Sequence, residues 1–316
     1  MKNELGSSCN FIDTEDYTEA GLLNAAKDAD IFLGSFVTEN LIKTAKDLKL
    51  IQIPWTGVEN LNYEVLSRFN IPVCNSHSNS RCVGEYAFSM LMSLIKKIPY
   101  HDRLMRGGNW NRPQKNVVPE YDNFSDTLHG KTVAFLGYGE IARKIVEYLK
   151  PFNCKILAIA NYDNHKKFEE LEFKGTPDDL EYVLSEADIV FVTLPYTEST
   201  RNLIDSDRID KMKSTSYIVN IARGAIVNEM ALYNALKEKR IAGAAIDVWY
   251  KNAGEGLNEL PSDNFPFHEL SNIVISPHRA GFSMEKLPHL DDAIENIKRL
   301  SAGIELINKI NISKKY

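Results

Sequence analysis

The stretch Thr132-Val133-Ala134-Phe135-Leu136-Gly137-Tyr138-Gly139-Glu140-Ile141-Ala142 decides the fold of this chain. Its first residues, Thr132–Leu136, form a short apolar run that suits a buried strand. A helix is expected over Glu140–Lys150, with Ile141, Ile145, Val146 and Leu149 along one stripe, and Pro151 ends it. Between strand and helix lies a G-x-G-x-x-A turn. Gly137 permits the tight turn, Gly139 lets the backbone approach a pyrophosphate, and Ala142 is small enough for the helix to pack on the strand. Tyr138, Glu140 and Ile141 complete the turn and open the helix, whose first N–H groups favour an anion. Strand, glycine turn, helix and a second strand over Lys155–Ala160 together spell a dinucleotide site.

The tip of that second strand, Ala160-Asn161-Tyr162, carries no carboxylate where NAD enzymes hold the adenosine ribose. Asn161 is the candidate for a ribose hydroxyl. Asp163 follows, then His165, Lys166 and Lys167. The two lysines either attract a 2′-phosphate or belong to a solvated loop, so NAD(H) and NADP(H) both remain open.

Further along, apolar runs at Ile189–Leu194, Tyr217–Asn220, Gly243–Val248 and Asn272–Ser276 read as parallel strands. The last three lead into Arg223, Asp247 and His278. Ligands of open α/β sheets bind at the carboxyl ends of strands, so a guanidinium, a carboxylate and an imidazole are expected in one crevice. A guanidinium grips an anion in a bidentate fork, and an imidazole passes a proton near neutral pH.

Toward the N-terminus, helices near Thr18–Lys27, Thr38–Lys46 and Tyr63–Phe69 alternate with strands at Ala29–Gly34, Lys49–Ile53 and Ile71–Cys74. A long helix runs from Val83 to about Lys97, and residues 107–128, broken by Gly107-Gly108, Pro113 and Pro119, read as a connector. The amphipathic segment His289–Ile310 has no strand partner in its own half and is expected to return to the N-terminal domain. The expectation is therefore an α/β protein of two domains. A discontinuous domain over 1–105 and 284–316 would be the smaller, flavodoxin-like one. A Rossmann-type doubly wound parallel sheet would occupy 106–283. Met1 to Asn10 is polar, which suggests that the first strand–helix unit of the smaller domain is missing.

With 316 residues, 44% hydrophobic and 25% charged, the composition is that of a folded globular protein. A net charge of −6 without a basic block argues against nucleic acid, and no apolar run approaches a membrane span. No signal-peptide pattern opens the sequence. Cys9, Cys74, Cys82 and Cys154 are scattered and read as reduced thiols of a cytoplasmic protein, with no metal site.

The chain resembles the D-isomer-specific 2-hydroxyacid dehydrogenases, the group of phosphoglycerate, glycerate, D-lactate and formate dehydrogenases. The resemblance runs from about Asp30 to the C-terminus. It is carried by Gly57-Val58-Glu59-Asn60, Ser78 to Glu85, Gly137 to Ala142, Thr193-Leu194-Pro195, Asn220 to Gly224, Ala245 to Val248 and Ser276-Pro277-His278. It implies that Arg223 holds the substrate carboxylate and keto oxygen, and that His278 protonates the carbonyl. It puts the backbone of Gly57 and Val58, with Asn79, on the substrate carboxylate. Asp247 would meet the nicotinamide carboxamide, and Leu194, Pro195, Ile221 and Ala222 would line the nicotinamide site. It also implies a small 2-oxo or 2-hydroxy acid substrate, action mainly as a reductase, and a homodimer through the cofactor domain.

The sequence departs from the family where a glutamate normally supports the histidine. That position is Asn252. Asn252 orients the imidazole without supplying charge, or Glu255 or Glu259 from the following loop replaces it, or nothing does. Trp55 and Trp249-Tyr250 either wall the substrate pocket or are core aromatics. Arg81, Arg103 and Arg106 either add an anion contact or are surface charges. Two other readings stay beside the reductase: a cofactor-gated binding protein like the C-terminal-binding-protein corepressors, and a formate-type dehydrogenase.

Overall fold

The computed structural model describes residues 1–6, 9–110, 124–160, 169–251, 259–283 and 288–315. They form two compact units, Met1–Asn79 with Ser283–Tyr316, and Ser80–Phe282.

The first unit holds a parallel sheet of β1 (Ile31–Leu33), β2 (Leu50–Gln52) and β3 (Val73–Cys74), in that order. Helices Glu19–Ala26 and Glu39–Thr44 begin at Thr18 and Thr38, whose hydroxyls cap the first turn. Leu41, Ile51, Ile53, Val65 and Val73 make the core. The C-terminal helix Asp291–Ala302 belongs to this unit. Its Asn296, fully buried, donates to the Gln52 side chain at 2.8 Å. Among the described residues no strand precedes β1. Instead Leu5, Cys9 and Phe11 pack against Ile294, Ile297 and Ile31.

The second unit is built on a seven-stranded sheet. Its strands are β4 (Thr132–Leu136), β5 (Lys155–Ile159), β6 (Phe173–Gly175), β7 (Ile189–Val192), β8 (Tyr217–Asn220), β9 (Gly243–Ile246) and β10 (Ile273–Ile275). All pairs are parallel and the order is β10-β9-β8-β7-β4-β5-β6. The chain leaves β4 to one side through β5 and β6, then returns to build β7 to β10 on the other. That places the topological switch point between β4 and β7. Alternate residues of each strand face opposite layers. Val133, Phe135, Phe191 and Val219 face one, while Ala134, Leu136, Val192 and Ile218 face the other. Both layers are buried, which explains why these strands read as unbroken apolar runs.

The division between the units falls at Asn79/Ser80 rather than at 105/106. The cause is the helix Ser80–Ile95, which buries Val83, Ala87, Met90, Leu91 and Leu94 in the same layer as Phe135, Ala142 and Ile145. Gly84 permits that approach, since a Cβ there would stand 3.0 Å from Lys144 Cβ. A further helix, Ile98–Arg106, was not evident from sequence; Pro99 fits its first turn. No helix among the described residues is long and apolar enough to cross a membrane.

Candidate active site

Five loops at the carboxyl ends of neighbouring strands of the second unit, β4, β7, β8, β9 and β10, build the candidate site. After β4, Gly137 turns with φ +92°, and a Cβ there would lie 2.7 Å from the backbone of Leu194. Glycine is thus required both for the backbone angle and for the contact between the β4 and β7 loops. Thr193 ties the same two loops, its hydroxyl donating to the Gly137 carbonyl at 2.5 Å. A Cβ on Gly139 would meet no heavy atom within 4 Å, and no side chain caps the helix that Gly139 opens. Open space over a glycine before an uncapped helix N-terminus fits a pyrophosphate. Tyr138 turns inward instead, its ring buried and its hydroxyl 2.6 Å from Glu170. Burial, then the Glu170 carboxylate, hold that phenol protonated far above its ordinary range. Burial pushes the Glu170 carboxyl up, but the Tyr138 hydrogen bond and Arg143 outweigh it and leave it below its usual value. Leu194 is half-buried and Pro195 exposed beside this turn.

After β8, Asn220 is buried and braces the next loop. Its amide donates to the Arg223 carbonyl at 3.0 Å, and its oxygen accepts from the Ala222 N–H at 3.1 Å. Arg223 is half-buried and donates to the Ala222 carbonyl at 2.6 Å, while Ile221 is buried and Ala222 half-buried. Gly224 is irreplaceable by size, because a Cβ would fall 2.5 Å from the Trp249 carbonyl oxygen.

After β9 and β10 the loops are locked together by Asp247. This carboxylate is 0% exposed. Its Oδ1 accepts from Ser276 Oγ at 2.5 Å and from the Arg279 N–H at 2.8 Å, and its Oδ2 accepts from the Ala280 N–H at 2.9 Å. Between these anchors the exposed His278 stands in the left-handed region at φ +57°. Such a conformation costs a non-glycine residue about 1–2 kcal/mol, so the turn depends on its hydrogen bonds. Asp247, expected at the nicotinamide carboxamide, also ties down the histidine turn. Trp249 joins the lock, its indole donating to the Ser276 carbonyl at 2.8 Å. Trp249 and Tyr250 both pack on Phe267, as core aromatics.

Trp55, Gly57, Val58 and Asn79, expected from the sequence at the substrate, lie in the first unit. The loop after β2 runs through Trp55, 46% exposed, to half-buried Gly57 and buried Val58. Thr56 fixes it by donating to the Ser76 carbonyl at 2.8 Å, and the Asn75 amide donates back to the Thr56 carbonyl at 2.8 Å. Asn79 is half-buried, with its side-chain oxygen 3.5 Å from the Thr56 hydroxyl. Arg81 and Arg106 pair with Glu85 and Asp102 one helical turn away, and Arg103 is exposed, which fits surface charges. Glu259 lies 3.8 Å from Lys251. Asn161, Asp163, His165, Lys166, Lys167, Asn252 and Glu255 lie outside the described residues. Sequence reading missed Tyr86, whose hydroxyl is 2.8 Å from Ser276 Oγ; no local spacing signals that contact.

Residues 88–280 match the model of the D-isomer specific 2-hydroxyacid dehydrogenase NAD-binding domain. The chain is similar to a D-3-phosphoglycerate dehydrogenase of Methanocaldococcus jannaschii, with 32% identity over 303 residues, 93% of this chain and 54% of that protein. It is also similar to a glyoxylate reductase of Pyrococcus furiosus, with 31% identity over 268 residues, 84% of this chain and 76% of that protein. It spans about half the length of the phosphoglycerate dehydrogenases it matches. Among solved structures, an acyclic imino acid reductase in complex with NADPH and D-Arg superposes with TM-score 0.78 at 22% identity, covering 98% of this chain and 94% of that one, which speaks for the fold alone. The glycine turn at the switch point, the Arg223 loop, the Asp247-locked His278 turn and these matches agree: the chain belongs to the D-isomer-specific 2-hydroxyacid dehydrogenase family, whose members use NAD or NADP.

Proposed function

We propose that this chain reduces small 2-oxo acids to D-2-hydroxy acids with NADH or NADPH. The observation that carries the reading is the lock of Asp247 on the His278 turn, with Asp247 at the end of the strand beside the one that leads to Arg223. A buried carboxylate that stabilises an exposed histidine in an unfavourable backbone conformation has no evident use in packing alone.

In this reading the turn over Gly137, Tyr138 and Gly139, with Glu140 and Ile141 opening the helix, holds the dinucleotide. Leu194, Pro195, Ile221 and Ala222 wall its nicotinamide. The bound cofactor supplies the hydride that the carbonyl carbon takes up. Arg223 grips the carboxylate and keto oxygen, and its fixed charge stabilises the negative charge that grows on that oxygen. His278 gives the oxygen its proton. The backbone of Gly57 and Val58 and the Asn79 side chain hold the carboxylate, with Trp55 beside them. Asn252 orients the imidazole. Asp247 acts through the histidine turn. The helix Ile98–Arg106 buries none of its residues, and Ile98, Met105 and Trp110 are exposed apolar groups. We read that face as the contact with a second copy. The free cysteines fit a reducing, cytoplasmic setting.

Cofactor oxidation with glyoxylate, hydroxypyruvate, pyruvate and phenylpyruvate, with NADH and NADPH in turn, tests the proposal. Turnover of at least one supports it, with the D-isomer formed wherever the product is chiral. Tight cofactor binding with no turnover would favour the corepressor-like reading, and reduction of oxidised cofactor by formate, with no 2-oxo acid reduced, the formate-type one.

A further inference from the structure

The Asp247 lock does not end at Ser276. Ser276 Oγ lies 2.5 Å from Asp247 Oδ1 and 2.8 Å from the Tyr86 hydroxyl. A serine has one proton, and the Asp247 oxygen accepts it. Tyr86 is therefore the donor to Ser276. The chain of bonds runs from the Tyr86 hydroxyl to Ser276, then to Asp247, and from Asp247 to the amides on the far side of His278. Tyr86 sits on the long helix Ser80–Ile95, which buries its neighbours Val83, Ala87 and Met90 against the sheet. The hydroxyl is held on a rigid element and reaches across 190 positions of sequence.

Directional bonds in series polarise one another, so each is strengthened by the next. Losing the first weakens the bond from Ser276 to Asp247 and removes one anchor on the serine oxygen. The Arg279 and Ala280 amides then carry more of the left-handed His278.

We propose that Tyr86 is a positioning residue for His278, acting through Ser276 and Asp247. This rests on the reading of His278 as proton donor. Tyr86→Phe removes the hydroxyl and keeps the ring, so the helix packing is preserved. Its predicted effect is a fall in kcat of about five-fold, the equivalent of one neutral hydrogen bond, with KM for cofactor and 2-oxo acid changed less than about two-fold.

The decisive test is a double-mutant cycle on the full chain with Tyr86→Phe, Ser276→Ala and both together. If Tyr86 acts through Ser276, the double variant is no slower than Ser276→Ala alone. Effects that multiply, or an unchanged kcat in Tyr86→Phe beside a lowered melting temperature, would overturn the proposal. A second readout needs no turnover: the rate at which diethyl pyrocarbonate modifies His278, followed by mass spectrometry. Tyr86→Phe should change that rate at His278 and leave His101 and His129 as in the parent chain. An unchanged His278 rate would overturn the proposal. A parent chain that turns over no 2-oxo acid, yet shows the altered His278 reactivity in the variant, would refute the reductase reading and leave the positioning role standing.

Discussion

Two turns at the carboxyl edge of the same sheet each contain a residue at positive φ, and they reach it by opposite means. The turn after β4 uses glycine, with Gly137 at φ +92°. The turn after β10 uses a histidine at φ +57°. The first is a local solution, since glycine adopts the angle at no steric cost. The second is non-local, because His278 is held by a buried carboxylate, Asp247, more than thirty positions away in sequence. A binding turn that only needs backbone can be written in glycine. A turn that must present an imidazole cannot, and its conformation has to be stabilised from elsewhere.

The largest break in this comparison should come from Asp247→Asn. An amide leaves one of the turn's buried donors without an acceptor, at a cost of about 1–3 kcal/mol, which corresponds to a loss of turnover on the order of ten- to a hundred-fold. Dinucleotide affinity, measured by fluorescence titration, should change less than about three-fold. The reverse pattern, weakened cofactor binding with kcat retained, would mean that Asp247 serves the carboxamide after all.

Gly137→Ala attacks the other turn. Its Cβ would stand 2.7 Å from the Leu194 backbone at a left-handed angle. Strain and overpacking together predict a destabilisation of about 2–4 kcal/mol in urea unfolding. Gly139→Ala, with open space above it, should cost less than about 1 kcal/mol of stability yet weaken dinucleotide binding. Equal stability losses for the two variants would contradict the division of labour between the glycines.

These two turns also mark how far the sequence could be read. The turn at Gly137 was legible because strand, glycines and helix are contiguous. The strands β4 and β8 were legible to the residue, since buried parallel strands are apolar throughout. The strand Phe173–Gly175 was not, because a three-residue edge strand with a lysine at its centre has no pattern to read. The residues Arg223 and His278 could be found from their places after apolar runs. The bonds that hold the His278 turn could not: those of Asp247 to the Arg279 and Ala280 amides and of Tyr86 to Ser276 carried no signal, because hydrogen bonds across the fold leave no spacing in the chain. That the helix Ser80–Ile95 groups with the second unit was hidden for the same reason, since only packing shows on which core it lays its apolar face.

A carboxylate brace elsewhere in the same sheet sharpens the contrast. Asp188, just before β7, accepts from the Thr132 N–H at 2.9 Å and from Lys213 at 3.0 Å. Burial raises its pKa, but the Thr132 amide and Lys213 outweigh that and hold it below 3.8. A carboxyl depressed in the folded state stabilises fully above its unfolded value, and the contribution disappears as pH falls through the folded value. Asp188→Asn should therefore lower the melting temperature at pH 7 by a few degrees, with the gap closing below about pH 4. It should leave kcat unchanged, unlike Asp247→Asn. A comparable loss of turnover in both would mean that buried braces act here through general stability.

The smallest effect concerns Cys74, fully buried in β3 of the first unit, its thiol pushed up to about 11 by burial. A thiol so protonated and enclosed should resist aromatic disulfide reagents at pH 8 until the unit unfolds. Rapid labelling in the native chain would show that this core opens readily.

The most direct test of the account is His278→Ala, assayed for cofactor binding and for reduction of the 2-oxo acid that the parent chain turns over best. The account predicts dinucleotide affinity within about three-fold of the parent and a fall in kcat of about 10²–10⁴, as expected for loss of the proton donor. Retained turnover in the variant would contradict it.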